Sequence, residues 1–339
     1  MSEGRVLILG AGLTGLHAAA ELLDGGVETV LLEQAPVVGG RRAAWLSGGE
    51  QVDPRLPGVL DNARAEVLTQ ATLLSLEGEP GAFSATLEVA PRYVTADCTR
   101  CNHCVPVCPQ VAPNQYDAGL TYRKAIHSPL PEGWPPPYVI DIDSCLNVPP
   151  NYLPCQRCVE VCDDNAIHFD LAAQTLVREV AAVVVATGFA TDTAREKQVL
   201  AEFAYGKHPD VVTSAELQRL LEDPGPSGGF AIRPSDEGYP RRVLLVLTRA
   251  TAPACWIAGN QLRRLAAQDV EALAVLVLGS PFEGEALDTL RLVASEVGAS
   301  LNWGHWIGLE VTGDGLSVKY ASLPGGGRAQ LPADLVVLS

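Results

Sequence analysis

Basic residues are scarce in this sequence: 24 lysines and arginines stand against 40 aspartates and glutamates, for a formal net charge of -16 and a pI near 4.8. A field of that sign repels polyphosphate backbones and anionic headgroups, which argues against nucleic acid or an acidic membrane as partner and leaves a protein docking surface open. Long hydrophobic runs are missing as well. The longest, at residues 181–186 and 272–278, fall far short of the ~20 apolar residues a bilayer-spanning helix needs. The opening Met1-Ser2-Glu3-Gly4-Arg5 has neither a basic n-region nor a small-residue cleavage site. A soluble, cytoplasmic protein without membrane insertion is expected. Hydrophobic residues make up 47% of 339, enough for about two domains with cores of their own.

What is present begins with Val6-Leu7-Ile8-Leu9, a short apolar run of the kind a buried parallel strand shows, followed by Gly10-Ala11-Gly12-Leu13-Thr14-Gly15 and a helical pattern through Leu23. Asp24-Gly25-Gly26 ends that helix. A second apolar run closes at Glu33, so residues 5–33 read as one βαβ unit. Further strands are expected at 182–186, 243–247, 274–278 and 335–338, which favours a doubly wound α/β architecture. Between about 92 and 175 the composition turns to cysteine and proline, with a stiff proline-rich connector at 129–137; this stretch reads as an insertion. The final residues, 333–339, stop within a strand pattern, and a short tail is expected beyond them.

The three glycines have separate mechanical duties: Gly10 allows a tight turn, Gly12 lets backbone approach a pyrophosphate, and Gly15 lets helix and strand pack closely. Backbone N–H groups at the helix start, at Leu13 and Thr14, then face the phosphates. Glu33 is placed to accept from an adenosine ribose, and its charge disfavours a 2'-phosphate. NAD and FAD share these features. Residues 33–42, EQAPVVGGRR, resemble in their spacing the FAD-binding extension of the glutathione- and thioredoxin-reductase-like flavoproteins. That resemblance implies FAD, with contacts from Gln34, Gly39, Gly40, Arg41 and Arg42, although either arginine alone also reads as a solvated surface charge. Ala186-Thr187-Gly188 resembles the turn after their second flavin-contacting strand.

Eight of the nine cysteines fall between 98 and 162, a concentration that suits metal binding in a reducing compartment better than a disulfide framework. Cys98-x2-Cys101-x2-Cys104-x3-Cys108-Pro109 has the spacing of the bacterial ferredoxin run, in which the first three thiolates hold one [4Fe-4S] cube and the fourth holds the other. Zinc is the alternative, yet zinc needs neither the third cysteine nor the Cys-Pro. The second set, Cys145, Cys155, Cys158 and Cys162, has nine residues between its first two members, which weakens its match. The exchange rule then predicts Cys98, Cys101, Cys104 and Cys162 around one cluster, and Cys108, Cys145, Cys155 and Cys158 around a second. His103 reads as a surface side chain, Cys255 as a buried, inert thiol, Lys124 as a solvated charge unless the flavin lies near it, and the Trp303, His305, Trp306 group as core packing.

Taken with Tyr122-Arg123-Lys124-Ala125-Ile126, Ala166-Ile167-His168-Phe169-Asp170 and Arg233-Pro234-Ser235-Asp236, these motifs resemble the A subunit of heterodisulfide reductase along nearly the whole chain. The short form is similar to the A subunit of the heterodisulfide-reductase-like complex of sulfur-oxidising bacteria. The resemblance implies a thioredoxin-reductase-like FAD-binding Rossmann fold at 1–91, 176–240 and 313–339, an inserted ferredoxin-like domain at 92–175, and an NAD(P)H-domain-like region at 241–312. That region is degenerate: Thr248-Arg249-Ala250-Thr251-Ala252-Pro253 follows its first strand without the glycine spacing, and no acid follows Val277-Leu278. The resemblance further implies an FAD and iron–sulfur electron-transfer subunit in cytoplasmic sulfur oxidation, a homodimer working with B- and C-type subunits. Electron bifurcation and a stand-alone NAD(P)H-dependent reductase are the alternatives.

Overall fold

The opening apolar run becomes β1 (Val6–Leu9), the glycine turn leads into α1 (Leu13–Asp24), and β2 (Thr29–Glu33) lies parallel to β1. Helix α2 (Leu56–Leu60) and strand β3 (Ala65–Thr69) follow, then a hairpin of β4 (Ala71–Glu79) and β5 (Ala82–Val89). The computed structural model describes residues 4–40, 55–130, 133–147, 155–188, 194–223, 225–279 and 284–339. These belong to two units, Met1–Phe189 and Ala190–Ser339.

In the first unit, the chain leaves the hairpin for the insertion: α3 (Cys104–Val107), β6 (Val111–Pro113), β7 (Tyr122–Lys124), β8 (Ile126–His127), β9 (Val139–Ile140) and α4 (Arg157–Glu160). It returns through β10 (Gln174–Val180) and β11 (Ala182–Val185). The parallel sheet has the order β11-β1-β2-β3, and β10-β5-β4 forms a second, antiparallel sheet. Strand alternation explains the layering. Val6, Ile8 and Leu31 point to the helices and pack with Leu16, Ala19 and Val59, whereas Leu7, Val30 and Leu32 point to the antiparallel sheet and pack with Ala71, Ala85 and Leu87. Leu7, Ile8, Leu16 and Leu31 are fully buried, each worth about 1.5–3 kcal/mol in transfer terms. The insertion has a separate small core in which Cys104, Cys145 and Cys158 pack with Ile126, Tyr138 and Ile140.

The second unit contains α5 (Ala194–Ala201), β12 (Val211–Thr213), α6 (Ser214–Leu221), β13 (Arg242–Leu247), α7 (Ala252–Ala266), β14 (Ala272–Leu278), α8 (Glu285–Glu296), β15 (Ser300–Thr312), β16 (Gly315–Ser322), β17 (Arg328–Ala333) and β18 (Leu335–Leu338). Its sheet order is β12-β18-β13-β14-β15-β16-β17, parallel as far as β15 and antiparallel beyond. Residues 190–240 and 313–339 were both expected to return to the first domain. The structure places them here instead, because β18 is hydrogen-bonded on one side to β12 and on the other to β13, with all four of its side chains buried. Cys255 is buried in this core, with its thiol pushed up by burial, and Trp303 and Trp306 pack against the two faces of the sheet. His305 is exposed. Among the described residues no helix is long and apolar enough to cross a membrane.

Asp334, between β17 and β18, is buried and accepts from the Arg241 and Arg242 backbone N–H groups, both at 2.9 Å, and from the Arg242 guanidinium at 2.6 Å. Burial alone raises this carboxyl, but those donors outweigh it and hold it below the ordinary carboxylate range. Its stabilising effect is therefore present above the unfolded-state pKa and is lost as pH falls through the lower folded value. Asp334→Asn should destabilise the second unit by about 2 kcal/mol near neutral pH and flatten the acid limb of its thermal-melt profile. An unchanged acid limb would count against this account.

Candidate functional site

Two candidate sites lie in the first unit. The ends of β1 and β11, with Leu9 opposite Val185, bring the glycine turn against Ala186 and Thr187. A Cβ on Gly10 would stand 2.4 Å from the Ala186 carbonyl oxygen, and its φ of +103° is one that glycine adopts without strain. A Cβ on Gly15 would lie 1.8 Å from the Gly10 oxygen. Gly12 is different. It is the N-cap of α1, with no side-chain cap and no acid in the first turn, and a Cβ there would meet nothing nearer than Gly40 Cα at 4.0 Å. The space beside it suits a ligand's phosphate and would be lost to any side chain.

The segment after β2 closes over this turn. The Gly39 N–H donates to the Ala11 oxygen at 2.8 Å, and Gly40, at φ +56°, lies so near that a Cβ on it would sit 3.0 Å from Gly12 Cα. Glu33 Oε2 accepts from the Ala11 N–H and Oε1 from the Ala35 N–H, both at 2.9 Å. The carboxylate is thereby fixed, while each oxygen keeps a lone pair for a ligand hydroxyl. Leu13, Thr14, Gln34, Thr187 and Gly188 are exposed; Arg41 and Arg42 lie outside the described residues.

The cysteines sort into two cavities. One is lined by Cys98, Cys101, Cys104 and Cys162, the other by Cys108, Cys145, Cys155 and Cys158, and Ile126 lines both. Wrapping the first loop round its cavity forces Arg100 and Asn102 into left-handed backbone, at φ +63° and +67°. Hydrogen bonds hold the rims. Asp164 accepts from the Thr99 backbone and hydroxyl, tying the Cys98 loop to the Cys162 segment. Tyr138 donates to Asn102 at 3.1 Å, and the Ala166 N–H donates to Cys162 Sγ at 3.4 Å. Burial, reinforced by neighbouring thiols, pushes Cys104 up to about 12 and Cys158 up to about 11, and also raises Cys145. As thiols these stay protonated at neutral pH, so loading a metal group must displace protons. Among the described residues no three His, Cys, Asp or Glu side chains form a group suited to a single ion. His103 is exposed, 3.8 Å from Asp163.

A family model described as an NAD(P)-binding Rossmann-like domain matches residues 8–61. The chain is 35% identical over 248 residues to the iron-sulfur A subunit of the CoB–CoM heterodisulfide reductase of Methanocaldococcus jannaschii, a match covering 71% of this chain and 36% of that one. A second relative, an iron-sulfur A subunit of the same enzyme from Methanopyrus kandleri, is 36% identical over 252 residues, covering 72% and 36%. Over the matched span the chain belongs to the A-subunit family of heterodisulfide reductases. It spans little more than a third of the length of these family members, and the likeness reaches about seven-tenths of this chain, less than the near-complete coverage expected. Among solved structures, the thioredoxin reductase of Lactococcus lactis aligns over 99% of this chain and 76% of its own, at 11% identity and a TM-score of 0.46.

In this member of the heterodisulfide reductase family, several site residues carry no motif. Asn147 donates to the Cys155 oxygen at 2.7 Å and accepts from its N–H at 3.1 Å, so the nine-residue spacing is closed at its base. His127 is buried, held neutral by a pKa pushed down to about 4 by burial and then by Arg123, with Nδ1 3.2 Å from the Ala125 oxygen. Tyr116 is raised to about 12 by burial, with Arg123, Arg92 and Glu33 in its field. None of these has a spacing signature; each is defined by contacts across the insertion.

Proposed function

We propose that this chain is an oxidoreductase subunit that carries electrons within a heterodisulfide-reductase-like complex, holding one FAD at the glycine turn and Glu33 and a [4Fe-4S] cluster in each cysteine cavity. One observation supports this above all: eight thiols sort into two sets of four in the unit that also carries the dinucleotide turn. FAD, when bound, supplies exchange between paired and single electrons. The chain's own part is positional. Gly12 leaves room for pyrophosphate, Glu33 orients the ribose end, and the Thr99–Asp164 and Asn147–Cys155 bonds fix the thiols at their cavities.

The relatives named as A subunits support further partner subunits, taken here as B- and C-type, with this chain a homodimer in cytoplasmic sulfur oxidation. A stand-alone NAD(P)H-dependent reductase is disfavoured by the second unit. There the helix after β13 starts at a Thr251 cap bonded to the Ala254 N–H, with Pro253 in the first turn, where a glycine turn would have to admit a pyrophosphate.

Purified, loaded chain should contain about one FAD and about eight irons, against about four if a single cluster is held. NADH and NADPH should leave the flavin oxidised while dithionite bleaches it. Stoichiometric bleaching by NADPH would favour the stand-alone reductase, and sedimentation as a monomer would remove the homodimer.

A further inference from the structure

Arg92 stands where the first sheet gives way to the insertion, and its side chain spans two segments distant in sequence. One guanidinium nitrogen donates to the Pro36 oxygen, in the segment between Glu33 and Gly39; the other donates to the Pro137 oxygen at 2.7 Å, in the proline-rich connector. Its carbonyl accepts from the Ile140 N–H at 3.1 Å. The same two segments meet twice more. The Val38 N–H donates to the Trp134 oxygen at 2.9 Å, and Gly133 lies so close that a Cβ on it would stand 3.0 Å from Val37 Cγ1. Immediately after Pro137 comes Tyr138, which lines the Cys98 cavity. Burial lowers the guanidinium to about 10, and Tyr116 and Cys98 act on it in the opposite sense. It therefore remains cationic at neutral pH, with its guanidinium bonded one residue before Tyr138 on the wall of the Cys98 cavity.

We infer that Arg92 is a positioning residue that couples the dinucleotide turn to the Cys98 cavity, clamping residues 36–39 against the connector and lending positive charge to whatever the cavity holds. The inference rests on the proposed function for the identity of the bound groups, but the clamp itself does not. A fork that donates to two carbonyls at once fixes both the spacing and the angle between them, which a single ammonium cannot do. A cation beside a cluster also favours the state with one more electron, because that state is more negative. Tyr138 lines this cavity and not the other, so the shift should fall mainly there.

Three measurements on the full chain separate these statements, using Arg92→Met and Arg92→Lys. In cofactor-free protein, hydrogen exchange at the Val38 amide should speed up in both variants. In loaded protein, FAD should bind about tenfold or more weakly in both. The potential of the cluster in the Cys98 cavity should move negative in Arg92→Met and return toward wild type in Arg92→Lys, while the other cluster moves less. Unchanged Val38 exchange and FAD affinity in Arg92→Met overturn the clamp; an unchanged potential overturns the role of the charge. Should Arg92→Met fail to fold, wild-type Val38 exchange and flavin affinity in Arg92→Lys have the same force against the clamp, and an Arg92→Lys potential that has moved clearly negative counts against the charge. Wild-type chain that takes up neither flavin nor iron defeats the proposed function instead, and the exchange measurement still decides the clamp.

Discussion

Gly12→Val is expected to fold like the wild type and lose its flavin. The two halves of that statement come from one geometry: beyond its chain neighbours, the nearest atom to a Cβ at this position is Gly40 Cα at 4.0 Å, an ordinary contact, so a branch at this carbon has room to start without a clash. It enters the space a pyrophosphate needs instead. A clash of that kind costs a few kcal/mol, so affinity for FAD should fall at least about a hundredfold. Gly15→Val is the contrasting case, because its side chain would be driven into the Gly10 oxygen at 1.8 Å and should unfold the turn itself. Flavin absorbance per chain after desalting, beside a thermal melt, reads both outcomes. A flavin-replete Gly12→Val protein would falsify the assignment of this turn.

The second large effect concerns the iron. Cys101→Ser should remove the cluster of the first cavity and about four of eight irons, leaving the other signal in place. Cys108→Ser should do the reverse, although Cys108 is adjacent in sequence to the first set, because it lines the cavity of Cys145, Cys155 and Cys158. Cys162→Ser should behave like Cys101→Ser despite lying beside the second set in sequence. Electron paramagnetic resonance of the reduced variants, with iron counted per chain, distinguishes the pairings. Should Cys108→Ser and Cys101→Ser abolish the same signal while Cys162→Ser spares it, the crossed arrangement is wrong.

Much of the first unit was legible because its signals are local. A strand, a three-glycine turn and a helix occupy neighbouring residues, so the spacing of Gly10, Gly12 and Gly15 can be read locally, although Ala186 and Gly40, which crowd Gly10 and flank Gly12, lie far along the chain. The division of the chain was less legible. Leu335–Leu338 reads as a buried strand wherever it goes, and periodicity cannot say that its partners are β12 and β13. The same limit hid Asn147, whose pairing with Cys155 depends on a loop closing, and Arg92, whose two acceptors lie on either side of it in sequence. The cysteine spacing named the thiols; the rims that hold them had to be seen folded.

Ile126, fully buried, lines both cysteine cavities. An aliphatic wall offers no dipoles to reorient, so charge placed on one side is poorly screened from the other. Clusters on the two sides of such a wall would not titrate independently: filling one would make the next electron harder to add to its neighbour, and the two midpoints would belong to the pair. With a cluster in each cavity, as proposed, the first unit would favour single over double occupancy, the two charges meeting across a side chain common to both walls.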